Sequence, residues 1–334
     1  MISSMKALAR KSKTAIIASK LYTNWRMRRS RAKGSIEANM GSTHSRKTIK
    51  ESLAYIEVQY ADYCHYAQLS PDKIREKKII ELGCGDNVGV ALKFLADGAQ
   101  QVVCVDKFYS VRDVEKERKI YVELRKTLSP IQQMAFDRAV DLSSSIKLDE
   151  GRLRCVYGIE LGDFVAADTE RAFDVVMSRA VIEEIYEPET LFAAADKLLK
   201  PGGLMIHKID LSDYGMFSNG GMNPLTFLTI PEWLYRRMAS ESAIPNRKLI
   251  SYYRDLITRA GYEALVFVTS IIGAGEIVPH KLKIEPGVDY GPSELALIEK
   301  IRPKLQPEFA NMTDAELLVS GIFLVARKLE VDGQ

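Results

Sequence analysis

From residue 77 onward, short apolar runs alternate with longer amphipathic stretches. Residues 79–82, 102–105, 154–157, 173–178, 204–209, 264–268 and 321–326 read as strands. Residues 88–96, 111–128, 190–200 and 252–260 read as helices. This alternation predicts a parallel sheet wrapped on both faces by helices. Lys200-Pro201-Gly202-Gly203 stops a helix and launches a strand, since proline cannot continue the helix and glycine tolerates positive φ. No clear strand–helix–strand unit joins the last two strands across 273–319, so they are expected to form an antiparallel end of the sheet. The stretches 212–248 and 273–319 interrupt the pattern. Long loops in compact domains are usually functional, which makes them candidates for substrate recognition.

Upstream, residues 48–69 form an amphipathic helical stretch in which Tyr60, Tyr63 and Tyr66 fall at i, i+3 and i+6. Such a stripe packs a core or lines a ligand cage beneath a lid. In residues 1–34, Leu8, Ile16, Ile17, Leu21 and Trp25 can share a helical face. Three readings stay open for that leader: a helix on an anionic membrane surface, an organelle transit peptide, and a solvated, frayed arm. The expected organisation is a basic arm over 1–36, a helical cover over 37–76, and a main domain over 77–330 carrying the two inserts.

Composition narrows the class. The chain has 334 residues, 46% hydrophobic and 27% charged, which is globular and excludes disordered, collagen-like or disulfide-scaffold proteins. Its apolar runs fall short of the ~18 residues that span a bilayer. Cys64, Cys84, Cys104 and Cys155 lack metal-site spacing and read as reduced thiols of a cytoplasmic protein, with no structural zinc. Residues 1–36 hold ten Lys and Arg and no acid; against a net charge of +3, the body of the protein is therefore acidic. A general nucleic-acid surface is not expected.

The strongest signal is Ile80-Glu81-Leu82-Gly83-Cys84-Gly85-Asp86-Asn87-Val88-Gly89, directly after a strand and opening a helix. Glycines serve there because backbone must approach a ligand closely through a tight turn. A dinucleotide fingerprint would place its third glycine at position 88; here it comes at 89. Glu81 and Asp86 would repel a pyrophosphate and favour a cation, such as a sulfonium carrying an amino acid. No G-K-[ST] follows, which excludes a Walker site. Seventeen residues past Gly89, the run Val102-Val103-Cys104-Val105 ends in Asp106, a carboxylate able to accept both ribose hydroxyls.

These residues resemble the class I S-adenosylmethionine-dependent methyltransferases. The resemblance is close over 77–203 and looser to 326. It rests on Glu81 to Gly85 with Gly89, on Asp106, on Phe173-Asp174-Val175-Val176-Met177-Ser178-Arg179-Ala180-Val181-Ile182-Glu183-Glu184, and on Leu199 to Gly203. It implies a Rossmann-like α/β fold with a seven-stranded, mostly parallel sheet, helices on both faces and an antiparallel last strand. It also implies S-adenosylmethionine held by Glu81, Gly83, Cys84, Gly85, Gly89, Asp106, Lys107, Ser178 and Arg179. The adenine-contacting acid is Glu160 or Asp163. Where the family carries histidine after an acid, this chain has Glu184.

Methyl transfer needs approach geometry and, for a hydroxyl acceptor, a base. His207 and Asp210 end the fifth main strand, and Glu183 and Glu184 follow the fourth. His207, Asp210 and Glu184 are the catalytic candidates. His207 also reads as a core histidine, and Asp210 as a cap. Arg247 reads as a carboxylate clamp or a solvated loop residue. The expected reaction is methylation of oxygen, less readily nitrogen, of a small molecule or glycan precursor. No N-P-P-Y tetrad marks a nucleic-acid substrate. The alternatives are a non-catalytic cofactor-binding sensor and an NAD-dependent oxidoreductase, the latter disfavoured by the glycine spacing. The basic arm is the candidate for peripheral membrane contact.

Overall fold

The computed structural model describes residues 12–34, 37–38, 41–167 and 173–329. Leu8 and the first part of the basic arm lie outside the described residues, as does the expected domain end at 330. The chain divides into two compact units. One gathers Met1–Ser35, Ala180–Glu189 and Lys208–Leu324; the other gathers Ile36–Arg179, Thr190–His207 and Val325–Gln334.

The strands, numbered along the chain, are β1 (Glu37–Ala38), β2 (Lys78–Leu82), β3 (Gln101–Asp106), β4 (Tyr109–Ser110), β5 (Val140–Asp141), β6 (Lys147–Leu148), β7 (Leu153–Tyr157), β8 (Phe173–Arg179), β9 (Leu199–Asp210), β10 (Tyr262–Ile271), β11 (Gly275–Lys281) and β12 (Val319–Lys328). The main sheet has the order β11-β10-β12-β9-β8-β2-β3-β7. It is the mostly parallel sheet with an antiparallel end that the alternation predicts, with eight strands instead of seven. The additional strand is β11, antiparallel to β10 through Ser270↔Glu276 and Ile271↔Gly275. It escapes an apolar pattern because it holds Glu276, Pro279, His280 and Lys281. An edge strand tolerates proline, whose missing N–H breaks no ladder.

In the second unit, β2 pairs in parallel with β3 and β8, matching Leu82 to Val105 and to Ser178. β7 extends the sheet, with Asp106 opposite Tyr157. Successive residues Ile79 and Ile80, Val102 and Val103, and Val175 and Val176 are all almost wholly buried. Burial on both faces is why these strands read as unbroken apolar runs. The register brings the carboxyl ends of β2, β3, β7 and β8 to one edge, where open α/β sheets bind ligands.

The helix Ile49–Tyr66 starts with a capping box: Thr48 Oγ1 accepts from Glu51 N, and Glu51 Oε2 accepts from Thr48 N at 2.7 Å. Tyr60 and Tyr63 are buried with ring centroids 4.9 and 6.4 Å from Phe94. The tyrosine stripe is therefore core packing at these two positions.

In the first unit the described part of the basic arm is an ordered helix, Lys13–Arg31, rather than a frayed segment. It packs on the helix Glu232–Ala239. Its one buried residue, Asn24, donates to Arg237 O (2.9 Å) and Ser240 Oγ (3.1 Å) and accepts from Glu241 N (2.7 Å). Arg31 pairs with Glu241, and Lys13 Nζ donates to Thr229 Oγ1 at 2.6 Å. No described helix is long and apolar enough to cross a membrane. Asn24→Ala leaves a part-buried backbone amide and a part-buried carbonyl without their partner, so it should lower unfolding free energy by about 1 kcal/mol. Limited proteolysis of the variant should cut the arm faster than in the parent; unchanged protection would mean that Asn24 does not hold the helix.

Candidate active site

Leaving β2, the chain reverses through Gly83 and Gly85, with φ of 71° and 64° in the left-handed region that glycine adopts without strain. The helix Gly89–Ala96 follows. Asp106, at the tip of β3, ties this loop down: its Oδ2 accepts from Gly85 N (3.1 Å) and its Oδ1 from Phe108 N (2.9 Å). Two accepted bonds leave lone pairs free on both oxygens, since a carboxylate offers about four. Burial pushes the Asp106 carboxyl upward, opposed by these two backbone donors.

Glu81 is buried at 7% exposure, and the hydrogen bond it receives is a weak one from the Cys104 thiol, 3.8 Å from Oε2. Burial raises its carboxyl to about 8. Asn87 Oδ1 accepts from Gly89 N at 2.8 Å, whereas its buried Nδ2 has no partner. Cys84 is half-buried between the two glycines.

Other expected contacts are placed differently. Asp86 does not face a cation, because its oxygens accept the backbone N–H groups of His44 and Ser45. Lys107 Nζ and Glu160 pair with each other at 3.0 Å, and Asp163 is exposed in the first turn of the helix Leu161–Ala167. Arg179 donates to Asp62 at 3.1 Å and stacks over Tyr55, 5.5 Å from its centroid. Sequence reading missed Arg112. Its guanidinium donates to Gly85 O (2.9 Å) and Tyr157 OH (3.0 Å) and stacks on Tyr109 and Tyr157, binding the loop to β7. An arginine in a helix-leading loop carries no pattern that distinguishes it.

His207 is fully buried. Its Nδ1 lies 2.8 Å from Ser178 Oγ, its ring meets Phe192 edge-on, and its Nε2 has no partner. Burial drives its pKa down to about 3, so the ring stays neutral across the physiological range. This is the core-histidine geometry, and it ties Ser178 to the interior.

In the first unit, the turn Ile182–Glu184 holds a different carboxylate. Glu183 is 1% exposed; Oε1 accepts from Asp210 N (3.0 Å) and Tyr214 OH (2.8 Å), while Oε2 has no partner. Burial raises it to about 7, against those donors. Asn246 clamps the turn: its Nδ2 donates to Ile182 O (3.0 Å) and Ile185 O (2.8 Å), and its N to Glu183 O (2.7 Å). Glu184 is half-buried beside Glu183, and Asp210 Oδ1 accepts from Ser212 N at 2.8 Å. Asp213 is occupied by Gly215 N, Phe217 N, Ser218 N and Ser218 Oγ, which fold the following loop. Arg247 is neither a clamp nor solvated. It is buried, donates to Ile230 O and Phe227 O, pairs with Glu232 and Glu308, and stacks on Tyr235.

A methyltransferase-domain family profile matches residues 54–265, and the chain belongs to that family. It is a methyltransferase, and hence an enzyme; the glycine loop and Asp106 are those by which its sequence resembles the class I S-adenosylmethionine-dependent members. Among solved structures it is similar to an S-adenosylmethionine-dependent methyltransferase from Mesorhizobium loti at 13% identity, with 81% of this chain and 99% of that chain covered and a TM-score of 0.38. A methyltransferase from Archaeoglobus fulgidus gives 12% identity, 82% and 94% coverage and a TM-score of 0.39. The cyclase SpnF gives 15%, 86% and 84%, and 0.40. No curated protein matches the chain.

The residues present suit this cofactor. Among the described residues the buried Glu81 carboxylate receives a weak thiol hydrogen bond and would suit a cationic group, and Asp106 retains acceptor capacity that would suit sugar hydroxyls. When bound, the sulfonium supplies both the methyl group and a neutral leaving group. A carboxyl near 8 is mostly protonated at pH 7, and a cationic ligand favours its ionised form. Binding of S-adenosylhomocysteine at pH 7 should therefore release up to about one proton. Calorimetry in two buffers of different ionisation heat measures it. Glu81→Gln should abolish the release, and a parent enzyme that releases none would place the cationic end elsewhere.

Proposed function

We propose that this enzyme methylates a hydroxyl oxygen of a small molecule or glycan precursor, and that Glu183 takes up the hydroxyl proton. The reading is carried by one observation: Glu183 is a fully buried carboxylate whose Oε2 lacks a partner and whose pKa is near 7. A base of that strength is matched to neutral pH, whereas an imidazole near 3, at His207, is a poor proton acceptor. Glu183 Oε2 would accept the O–H proton of the acceptor as its oxygen bonded to the methyl group that bound S-adenosylmethionine would supply, with S-adenosylhomocysteine as the neutral leaving group. Asp210 and Tyr214 then act as positioning groups, because both donate to Oε1 and leave Oε2 open. Glu184 and Asp210 remain the reserve candidates for the base.

A radiolabelled-methyl screen against fractionated metabolites identifies the acceptor and the methylated atom. With that acceptor, kcat should rise with pH through about 7, since the base must be ionised. Glu183→Gln should lower kcat by about 10²–10⁴-fold and flatten this limb, with little change in KM. A variant with the parent's pH profile transfers the role to Asp210 or Glu184.

The same proposal extends to peripheral contact with an anionic lipid surface, where a lipid-linked glycan precursor would be met. On the helix Lys13–Arg31, Tyr22 and Trp25 are 61% and 52% exposed, and Arg29 stacks over Trp25 at 5.6 Å. Aromatic rings beside arginine suit a membrane interface. The protein should co-sediment with phosphatidylserine vesicles at low salt, and less so after Trp25→Ala. Equal recovery with neutral vesicles, or none with either, rejects the contact.

A further inference from the structure

Residues 41–46 run across the glycine loop and are attached to it through backbone. Asp86 Oδ1 accepts from His44 N (3.1 Å), Asp86 Oδ2 accepts from Ser45 N (2.8 Å), and Asp86 N donates to Gly41 O (3.2 Å). A Cβ placed on Gly85 would stand 2.6 Å from Gly41 O, so no side chain fits between the two segments. Flanking attachments hold the same stretch: Ser42 Oγ donates to Val111 O (2.7 Å), Lys116 Nζ donates to Ser45 O (2.9 Å), and β1 pairs with β4.

The His44 side chain behaves differently. It is buried, 9% exposed, and stands edge-on to Tyr55 at 5.5 Å; its Nδ1 has no hydrogen-bond partner. Buried ring nitrogens are rarely left unpaired. Burial keeps the ring neutral against the pull of Asp86, and Lys47 and Lys116 both lie near enough to act on it. Two cations around an unpartnered neutral donor suit an anionic ligand group. Tyr55 is common to His44, Lys47 and Arg179, which joins this surroundings to the tip of β8.

We infer that residues 41–46 form a clasp over the cofactor loop, in which Asp86 is a positioning residue that fastens the backbone and His44 donates its ring N–H to the carboxylate of the cofactor's amino-acid end. This rests on the methyltransferase reading, and it divides the zwitterion between two groups. Glu81 meets the cationic part, and His44 meets the anionic one. It also gives Asp86 a function other than direct ligand contact.

The test is calorimetry of S-adenosylhomocysteine with the full chain, alongside tryptic cleavage after Arg46 and Lys47. His44→Ala leaves the backbone donors to Asp86 intact, so the ligand-free melting temperature should hold while Kd rises about tenfold or more. His44→Gln restores a donor and should recover part of that loss. Asp86→Ala frees the clasp, so cleavage after Arg46 should speed up and lose the protection that the ligand gives the parent. Parent-like Kd in His44→Ala, or cleavage in the parent that the ligand does not slow, overturns the clasp while leaving the cofactor reading intact. A parent that binds no S-adenosylhomocysteine at all overturns both.

Discussion

The Asp106 carboxylate is the anchor on which the rest of the site depends. Between β2 and the helix Gly89–Ala96 the backbone must double back within a few residues, and the two left-handed glycines allow it. That turn would be slack without a fixed acceptor. Asp106 supplies one by taking Gly85 N, and it can do so because parallel pairing sets β3 one residue ahead of β2 at that edge. Arg112 fixes the loop's carbonyl side and Asp86 fastens the clasp. The glycines therefore sit in a lattice of hydrogen bonds drawn from β3, from Arg112 and from residues 41–45.

Polar groups in the two units divide by what burial leaves unpaired. At His207 burial removes basicity, because nothing near it favours the charged ring. At Glu183 the same physics raises a carboxyl, and two donors on one oxygen stop the rise near neutrality. Both are buried ionisable groups next to strand ends. Their chemical prospects differ because a carboxylate is weakened as an acid, and so strengthened as a base, by the environment that disables an imidazole.

The strands, the glycine loop and Asp106 were legible in the chain because each rests on a local rule: apolar runs of strand length, glycine where φ turns positive, an acid at a strand tip. What escaped depends on contacts distant in sequence. Asp86 reads in the sequence as a group facing a cation, whereas His44 and Ser45, some forty residues earlier, occupy both its oxygens. Arg247 reads in the sequence as a carboxylate clamp or a solvated loop residue, yet its guanidinium is enclosed by Tyr235, Phe309 and the carbonyls of Phe227 and Ile230. Strand β11 was hidden because an edge position imposes no apolar pattern. Glu183 and Glu184 are adjacent and alike in sequence; only the fold buries one and half-exposes the other.

Strand β12 comes late in the chain yet stands between β9 and β10 in the sheet. Gly321 sits there so tightly that an added Cβ would fall 2.5 Å from Ser270 Oγ and 2.6 Å from Thr269 Oγ1. A ribosome that has delivered everything through Ile271 has therefore made both neighbours of an empty slot. Until Val319–Lys328 emerges, β9 and β10 present unsatisfied backbone edges, which are sticky toward any passing strand. Val319–Lys328, among the last residues made, is the segment that closes this slot by pairing on both sides.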